Sequence, residues 1–191
     1  ARWNATLGGE VKKLKGFANK FLKIPAGSVV NVELTKPLPE NFTVETEIII
    51  PADIPIRMAA IGFGPKPKSI DYMLAPDYNE GIHFAFHSDD KGHSNGLKFG
   101  RQKVNTDAGF GKINYNPPLN KAIKVAFMVN GKRIRMYVDG EKKVDMPSGF
   151  DANFRKAFYF CASTHGAADS KLNYFYISNV LIAETGRDER S

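Results

Sequence analysis

Two acidic residues, Glu45 and Glu47, have the spacing of a catalytic carboxylate pair. Such a pair can hydrolyse a glycosidic bond, with one carboxyl group as the acid and the other as nucleophile or base. On a strand the two side chains would share one face at a spacing of roughly 6.5 Å. The segment contains no third acidic partner, however, and the apolar residues Ile48–Ile50 follow directly. This pattern favours the solvated outer face of an antiparallel strand, and hydrolysis by Glu45 and Glu47 remains an alternative.

A metal site has weaker support in the sequence. His83 and His87 would lie on one face of a predicted strand, but about 13 Å apart. That distance is too large for two ligands of one zinc ion, whose bonds are about 2.0–2.1 Å long. Asp89 and Asp90 offer the oxygen ligands that calcium prefers, in a segment that lacks the spacing of a calcium loop. We therefore expect no cofactor, with calcium at Asp89 and Asp90 as the less favoured alternative.

A sugar ligand would need aromatic rings and planar hydrogen-bonding groups on one sheet or on its rim loops. Long ordered loops on a rigid sandwich often carry recognition, so we expect any site in the segment Ile56–Ser94. The candidates for ligand binding are Tyr72, Tyr78, His83, His87, Arg101, Asn114 and Tyr115. For the tyrosines, packing of a long loop onto the sandwich is the competing interpretation.

The elements that would position these residues are short strands. Runs rich in β-branched and aromatic residues, separated by turn residues, recur along the chain, and no sustained period of 3.6 residues predicts a long helix. The predicted strands are Glu10–Leu14, Lys20–Ile24, Ser28–Leu34, Phe42–Ile50, Ile56–Phe63, Gly81–His87, Gly96–Gln102, Ile123–Val129, Arg133–Val138, Lys142–Met146, Ala157–Ala162 and Tyr174–Glu184.

Alternation along the predicted strands assigns their faces. In "GIHFAFHS", Phe84 and Phe86 would face the core, which turns His83 and His87 to the other side. Further along the chain, Asn130-Gly131 and Asp139-Gly140 suit two-residue type I′ turns, which need positive φ at both positions. These two motifs predict hairpins rather than sites.

The bulk composition narrows the choice of partners. The formal net charge is +7, but the basic excess is divided between Arg2–Lys23 and Lys121–Lys143. Nucleic-acid binding needs basic residues gathered on one face, so we expect no nucleic-acid partner. No apolar stretch approaches the ~18 residues of a membrane span, so we expect no direct insertion into a membrane.

The remaining features predict one domain. Cys161 is the only cysteine, which rules out an internal disulfide, and its apolar surroundings "AFYFCAS" predict a buried, unreactive thiol. No linker or repeat interrupts the chain, so we expect one β-sandwich domain over 1–184 and the start of a linker or tail over 185–191. No signal peptide is visible, and the first residue is not Met, which predicts a processed or trimmed start.

Three segments together resemble a known family. "LPENFTVETEIIIP" (Leu38–Pro51), "AIKVAFMVNGKRIRMYVDGEKKVDMP" (Ala122–Pro147) and "NYFYISNVLIAE" (Asn173–Glu184) occur in this order. They resemble concanavalin A-like (laminin-G-like) jelly-roll domains, in particular the N-terminal domains of OmpA-type proteins of Bacteroidetes. The resemblance covers about Trp3 to Glu184. It implies an all-β fold, a jelly-roll sandwich of two antiparallel sheets with few or short helices.

The same resemblance implies an exported, periplasmic or outer-membrane-associated protein. As function it implies a non-enzymatic module of the cell envelope that binds carbohydrate or an envelope protein. One alternative is a glycoside hydrolase of the concanavalin A-like glucanase class using Glu45 and Glu47, although the Glu-x-Asp-x-x-Glu motif of those enzymes is missing. Another is a spacer domain without ligand, since this fold hosts many functions. The sequence does not predict the oligomeric state.

Overall fold

The computed structural model of the protein describes residues 5–6, 11–13, 20–34, 36–64, 81–92, 95–101, 110–162 and 172–185. Within these residues the chain is built from strands and one short 3-10 helix, Ala152–Lys156. The strands are β1 (Ala5–Thr6), β2 (Val11–Lys13), β3 (Lys20–Pro25), β4 (Val29–Leu34), β5 (Asn41–Ile49), β6 (Ile56–Phe63), β7 (Ile82–Asp89), β8 (Gly96–Arg101), β9 (Phe110–Ile113), β10 (Ala122–Asn130), β11 (Arg133–Val138), β12 (Glu141–Met146), β13 (Phe158–Ala162) and β14 (Tyr174–Glu184).

The strands form two antiparallel sheets that pack face to face. Sheet I has the order β1-β4-β13-β6-β7-β8-β9, and sheet II has the order β12-β11-β10-β5-β14-β3-β2. Both sheets combine meanders of consecutive strands, β6–β9 in sheet I and β10–β12 in sheet II, with pairs of strands that are distant in sequence, such as β13 with β6 and β14 with β5. Long connections between paired strands are typical of jelly-roll sandwiches. The predicted all-β sandwich is therefore confirmed. None of the described helical residues forms a segment long and apolar enough to cross a bilayer.

Phenylalanine rings fill the space between the sheets. Phe63 of sheet I lies with its ring centroid 4.9 Å from that of Phe158 and 5.3 Å from that of Phe127 in sheet II. Phe84 contacts the same Phe127 ring at 4.9 Å. All four side chains are fully or almost fully buried. Pairs of this geometry add about 0.5–1.5 kcal/mol each beyond the burial of their area, so the aromatic core fixes the relation of the two sheets.

The predicted strands agree closely with the observed ones. Ile56–Phe63, Arg133–Val138 and Tyr174–Glu184 have the predicted bounds, and the other predicted strands differ at their ends by one or two residues. Two strands were not predicted, β1 and β9. They have only two and four residues, and runs this short carry too little alternation to stand out from loops.

The two predicted hairpin turns differ in outcome. Asp139 and Gly140 have φ values of 49° and 82°, which confirms a type I′ turn between β11 and β12. The first turn was predicted one residue too early, because Asn130 still pairs with Arg133 and the loop is Gly131–Lys132. Gly131 has a φ of 59°, whereas Lys132 is not among the residues with positive φ, as in a type II′ turn.

Candidate functional site

A cluster of titratable side chains lies on the outer face of sheet I: two histidines, two lysines, a tyrosine and a cysteine. Cross-strand pairing puts them side by side, because directly paired residues of neighbouring strands point to the same side of a sheet. We call this surface the histidine face. It consists of Met58, Ala60 and Gly62 of β6, His83, Ala85 and His87 of β7, Lys98 of β8, Lys112 of β9, and Tyr159 and Cys161 of β13.

His83 and His87 lie on the side predicted from the alternation, away from Phe84 and Phe86. Both are nevertheless buried, with 1% and 5% of their surface exposed. Burial lowers the pKa of His83 to about 4, so its imidazole is neutral at neutral pH. A neutral imidazole has one nitrogen that donates a hydrogen bond and one that accepts it. Alternation gave the side of the sheet correctly, but it contains no information about what covers that side.

Tyr159 lies across the sheet toward His83. A Cβ atom placed on Gly62 would come within 2.2 Å of Tyr159 Cζ and 2.3 Å of its Oη, so the phenol ring occupies the space above this glycine. Gly62 pairs with Tyr159 on one side and with His83 on the other. The ring therefore extends from β13 onto β6, and its hydroxyl lies above Gly62, the strand partner of His83.

The Tyr159 hydroxyl is fully buried, and it has no hydrogen-bond partner among the described residues. Burial raises its pKa far above the ordinary range, so it stays protonated. A buried hydroxyl without a partner costs about 1–3 kcal/mol, and such groups in native proteins call for an explanation. The thiol of Cys161, on the same strand, is also buried, with its pKa raised to about 12 by desolvation. The prediction of a buried thiol is confirmed.

Lys112 lies across β8 in a similar way. A Cβ atom on Gly96 would be 2.9 Å from Lys112 Cε and 3.4 Å from its Cγ, so the aliphatic part of the lysine runs over this glycine. Gly96 pairs with His87 on β7. Two glycines thus let two long side chains lie flat on the face, and each chain leads toward one of the two histidines.

Lys98 and Lys112 are direct partners across the β8–β9 ladder. Like charges in this arrangement destabilise a sheet. The pKa of Lys98 is lowered, first by desolvation and then by Lys112, while Asp89 acts in the opposite direction. Lys112 is exposed and Lys98 is half-buried, in contrast to the fully buried Ala85 and Tyr159. The histidine face is therefore accessible at its β8–β9 end.

The weak calcium candidates lie beside this face. Asp90 forms an ion pair of 2.9 Å with Arg57, whose guanidinium also donates hydrogen bonds to Ser88 Oγ and to the carbonyl of Ile54. The Asp90 carboxylate thus already balances a buried cation. Asp89 ends β7, and its backbone N–H donates to Asn95 Oδ1. The part of the chain that the structure describes contains no group of three His, Cys, Asp or Glu side chains suited to a metal ion.

The other predicted ligand-binding residues are dispersed. Arg101 ends β8 and pairs with Ile82. Asn114 is exposed just beyond β9. Tyr115 packs against the core, with its ring centroid 5.8 Å from that of Phe86. Tyr72 and Tyr78 lie outside the described residues.

Glu45 and Glu47 lie on the outer face of sheet II, as the alternation predicted. Glu45 Oε1 is 3.9 Å from Lys124 Nζ. A shallow depression of about 270 Å³ opens here, lined by Thr43, Glu45, Lys124, Ala126, Phe127, Met128, Tyr137 and Gly140. Glu47 is not one of the residues that line it. This depression therefore does not hold the two facing carboxylates that glycoside hydrolysis requires.

Tyr159, Lys98 and Lys112 were not predicted as site residues. Tyr159 lies in the run "AFYFCAS", which is apolar on both faces and gives no sign of which ring leaves the core. The lysines could have been found as alternate residues of "GLKFG" and "FGKI", but only a known register brings them together. Gly62 and Gly96 are the one sign in the sequence that side chains cross these strands, since glycine within a strand often marks a close approach of another group.

Comparisons with known proteins show the fold. No protein-family model matches this chain. No curated protein matches it either.

Among solved structures, the carbohydrate-binding module CBM66 from Bacillus subtilis is similar with a TM-score of 0.54 and 18% identity, over 96% of this chain and 95% of the module. The carbohydrate recognition domain of Emp46p in metal-free form has a TM-score of 0.61 and 11% identity, over 93% and 87%. The alginate lyase AlyC3 has a TM-score of 0.51 and 13% identity, over 86% and 74%. The chain thus has the fold of a jelly-roll β-sandwich.

Proposed function

We propose that this protein is a non-enzymatic carbohydrate-binding module and that it binds its glycan at the β8–β9 end of the histidine face. The observation that carries this proposal is the concentration of polar groups on that face. Two opposed lysines lie beside two histidines and a buried hydroxyl without a described partner. Opposed like charges and a buried hydroxyl without a partner lower the stability of the fold and do not contribute to the packing of the core. Groups of this kind are common where a surface serves recognition. The similar carbohydrate-binding module and carbohydrate recognition domain support the same class of function.

The accessible part of the face can meet a sugar directly. Lys112 is exposed and Lys98 is half-buried, and each ammonium group donates three hydrogen bonds to sugar oxygens. His83 and Tyr159 are too deeply buried to touch such a ligand from outside. A second row of candidate contacts, Asn95 and Asn116, closes the same end through a hydrogen bond of 2.9 Å.

Affinity electrophoresis tests the proposal against a panel of soluble polysaccharides. The wild type is compared with Lys98→Ala/Lys112→Ala and with Lys121→Ala/Lys132→Ala, a control that removes the same charge from exposed positions beside and within the β10–β11 hairpin. Mobility in each gel is divided by mobility in a gel without polysaccharide, which removes the direct effect of charge. We expect retardation of the wild type and the control, lost in the first variant. Retardation of no protein by any polysaccharide would overturn the proposal and favour a spacer or protein-docking domain.

Released sugar in the same gels would show an enzyme instead. Because an alginate lyase is among the similar structures, the assay must detect products of both hydrolysis and elimination. If products appear, Glu45→Gln and Glu47→Gln test the hydrolase alternative. Glu45 lies beside Lys124, and it is the one carboxylate among the residues that line the depression. Glycoside hydrolysis requires two carboxylates, so this arrangement favours binding over hydrolysis.

We also propose that the chain is an exported module of a bacterial cell envelope, as in OmpA-type proteins of Bacteroidetes. The support is the sequence resemblance of Leu38–Pro51, Ala122–Pro147 and Asn173–Glu184. Fractionation of the cells that produce the protein, followed by detection with an antibody, tests this. Recovery in the cytoplasmic fraction alone would contradict it.

A further inference from the structure

We propose that the glycan is anionic and that one of its acidic groups lies between the ammonium groups of Lys98 and Lys112. This inference rests on the proposed function and specifies its ligand class. The two outer faces of the sandwich differ in how their positive side chains are paired with negative ones, and this difference supports the inference.

On the outer face of sheet II, positive side chains have negative partners. Asp145 accepts two hydrogen bonds from Arg133, of 2.9 and 2.8 Å, and one of 3.2 Å from Lys142. Lys124 lies 3.9 Å from Glu45, and Lys143 lies 3.2 Å from Glu141. The positive charges of this face are therefore largely balanced within the protein.

On the histidine face, two positive side chains face each other instead. Lys98 and Lys112 are direct cross-strand partners, whose Cβ atoms stand roughly 4.5–5.5 Å apart. The ion pairs among the described residues include neither of them. The one acidic group that acts on Lys98 is Asp89, and its effect is smaller than those of desolvation and Lys112. Among the described residues, the positive charge of this pair is therefore offset only in part, by Asp89.

The geometry keeps this charge on the accessible part of the sheet. The aliphatic part of Lys112 lies over Gly96, which restricts the directions in which its ammonium group can turn. The two paired lysines repel each other in the free protein, and a bound anion between their ammonium groups would relieve that repulsion. A carboxylate or sulfate group of a polysaccharide supplies such an anion, whereas a neutral sugar does not. Binding of an anion would also reduce the self-repulsion of a chain with a net charge of +7.

The test uses matched polysaccharides in the affinity gels. Polygalacturonate is compared with its methyl ester, which has the same backbone without the charge, and dextran sulfate is compared with dextran. We expect the wild type to be retarded by polygalacturonate or dextran sulfate at least 10-fold more strongly than by the matched neutral polymer. Retardation by polygalacturonate alone assigns a carboxylate, and retardation by dextran sulfate alone assigns a sulfate.

Variants separate a specific site from general attraction to a polyanion. Lys98→Gln/Lys112→Gln should lose at least 10-fold in affinity, whereas Lys98→Arg/Lys112→Arg should retain most of it. Lys121→Ala/Lys132→Ala, with the same loss of two charges as the glutamine variant, should bind as the wild type does. Equal losses in the glutamine variant and in this control would overturn the inference, because attraction would then depend on net charge alone.

The two proposals fail in different ways. Binding to a neutral polysaccharide with no preference for the charged polymers would overturn the anionic ligand and leave carbohydrate binding intact. Binding to none of the polysaccharides would overturn both proposals. Circular dichroism spectra and thermal unfolding of each variant show that a loss of binding is not a loss of fold. Lys98 and Lys112 are not core residues, so the variants should fold.

Discussion

The ring of Tyr159 occupies the space above Gly62, so that a Cβ atom at position 62 would come within 2.2 Å of Tyr159 Cζ. Gly62→Ala should therefore destabilise the protein by about 1–3 kcal/mol, since the buried ring must move in a packed environment. Urea unfolding measures the change. In a Tyr159→Leu background, which removes the ring, the same substitution should cost much less. An equal cost in both backgrounds would mean that the ring does not limit position 62.

Removal of the Tyr159 hydroxyl should leave stability unchanged or raise it by about 1 kcal/mol, because the group is buried and has no partner among the described residues. Tyr159→Phe is the variant, and its unfolding midpoint in urea is compared with that of the wild type. A loss of more than about 1 kcal/mol would show that the hydroxyl makes a stabilising hydrogen bond. The aromatic packing is kept in this variant, so the comparison isolates the oxygen atom.

His83 should make the protein less stable in mild acid. Its pKa falls from 6.5 to about 4 on folding because burial disfavours the charged form. Between these two values the unfolded chain binds a proton that the folded protein does not, so stability falls as the pH falls through this window and is constant above it. With these two pKa values, the free energy of unfolding should fall by about 3 kcal/mol between neutral pH and pH 4.

The measurement is urea unfolding at several pH values from 7.5 to 4. His83→Gln cannot take up this proton, so its stability should depend less steeply on pH than that of the wild type. The hydroxyl of Tyr159 and the thiol of Cys161 have raised pKa values and stay neutral throughout, so they do not contribute to the slope. Parallel slopes for the two proteins would contradict the prediction.

Asp145 should stabilise the outer face of sheet II at neutral pH. Hydrogen bonds from Arg133, followed by Lys142 and the positive charges of both, hold the pKa of Asp145 well below its usual range, against the effect of burial. Its contribution is therefore present above the unfolded pKa near 3.8 and is lost as the pH falls toward the folded value. Asp145→Asn should cost about 1 kcal/mol at pH 7, the upper range for a partly exposed pair.

The same variant should lose less stability than the wild type as the pH falls below about 4, since it has no carboxylate to protonate. Glu47→Gln is a suitable control, because it removes a carboxylate from the same face and no ion pair of Glu47 occurs among the described residues. A cost at pH 7 that is equal for both variants would contradict a special role for Asp145.

The sequence predicted the fold well because period-2 alternation and turn residues are local signals. It placed β7 correctly and assigned Phe84 to the core and His83 to the opposite side. The misplaced Gly131 turn shows the limit of that reasoning, since Asn-Gly fits a type I′ loop but the strand pairing continues through Asn130.

The candidate site was predicted only in part. His83 and His87 were found because they occur on one strand, whereas Lys98 and Lys112 meet only through the β8–β9 register. The position of Tyr159 above Gly62 also depends on pairing between residues almost one hundred positions apart. Contacts of this kind are set by tertiary packing, and no local pattern in the chain encodes them.

Locating the bound ligand on the protein is the most direct test of glycan binding on the histidine face. Backbone amide chemical shifts of the labelled protein, recorded during titration with oligogalacturonate, would map it. We expect the largest changes in β7, β8 and β9, at and around Lys98 and Lys112, and no change around Tyr137 and Glu45 in the depression on sheet II. Changes confined to that depression, or no changes with any acidic or neutral oligosaccharide, would contradict glycan binding on the histidine face.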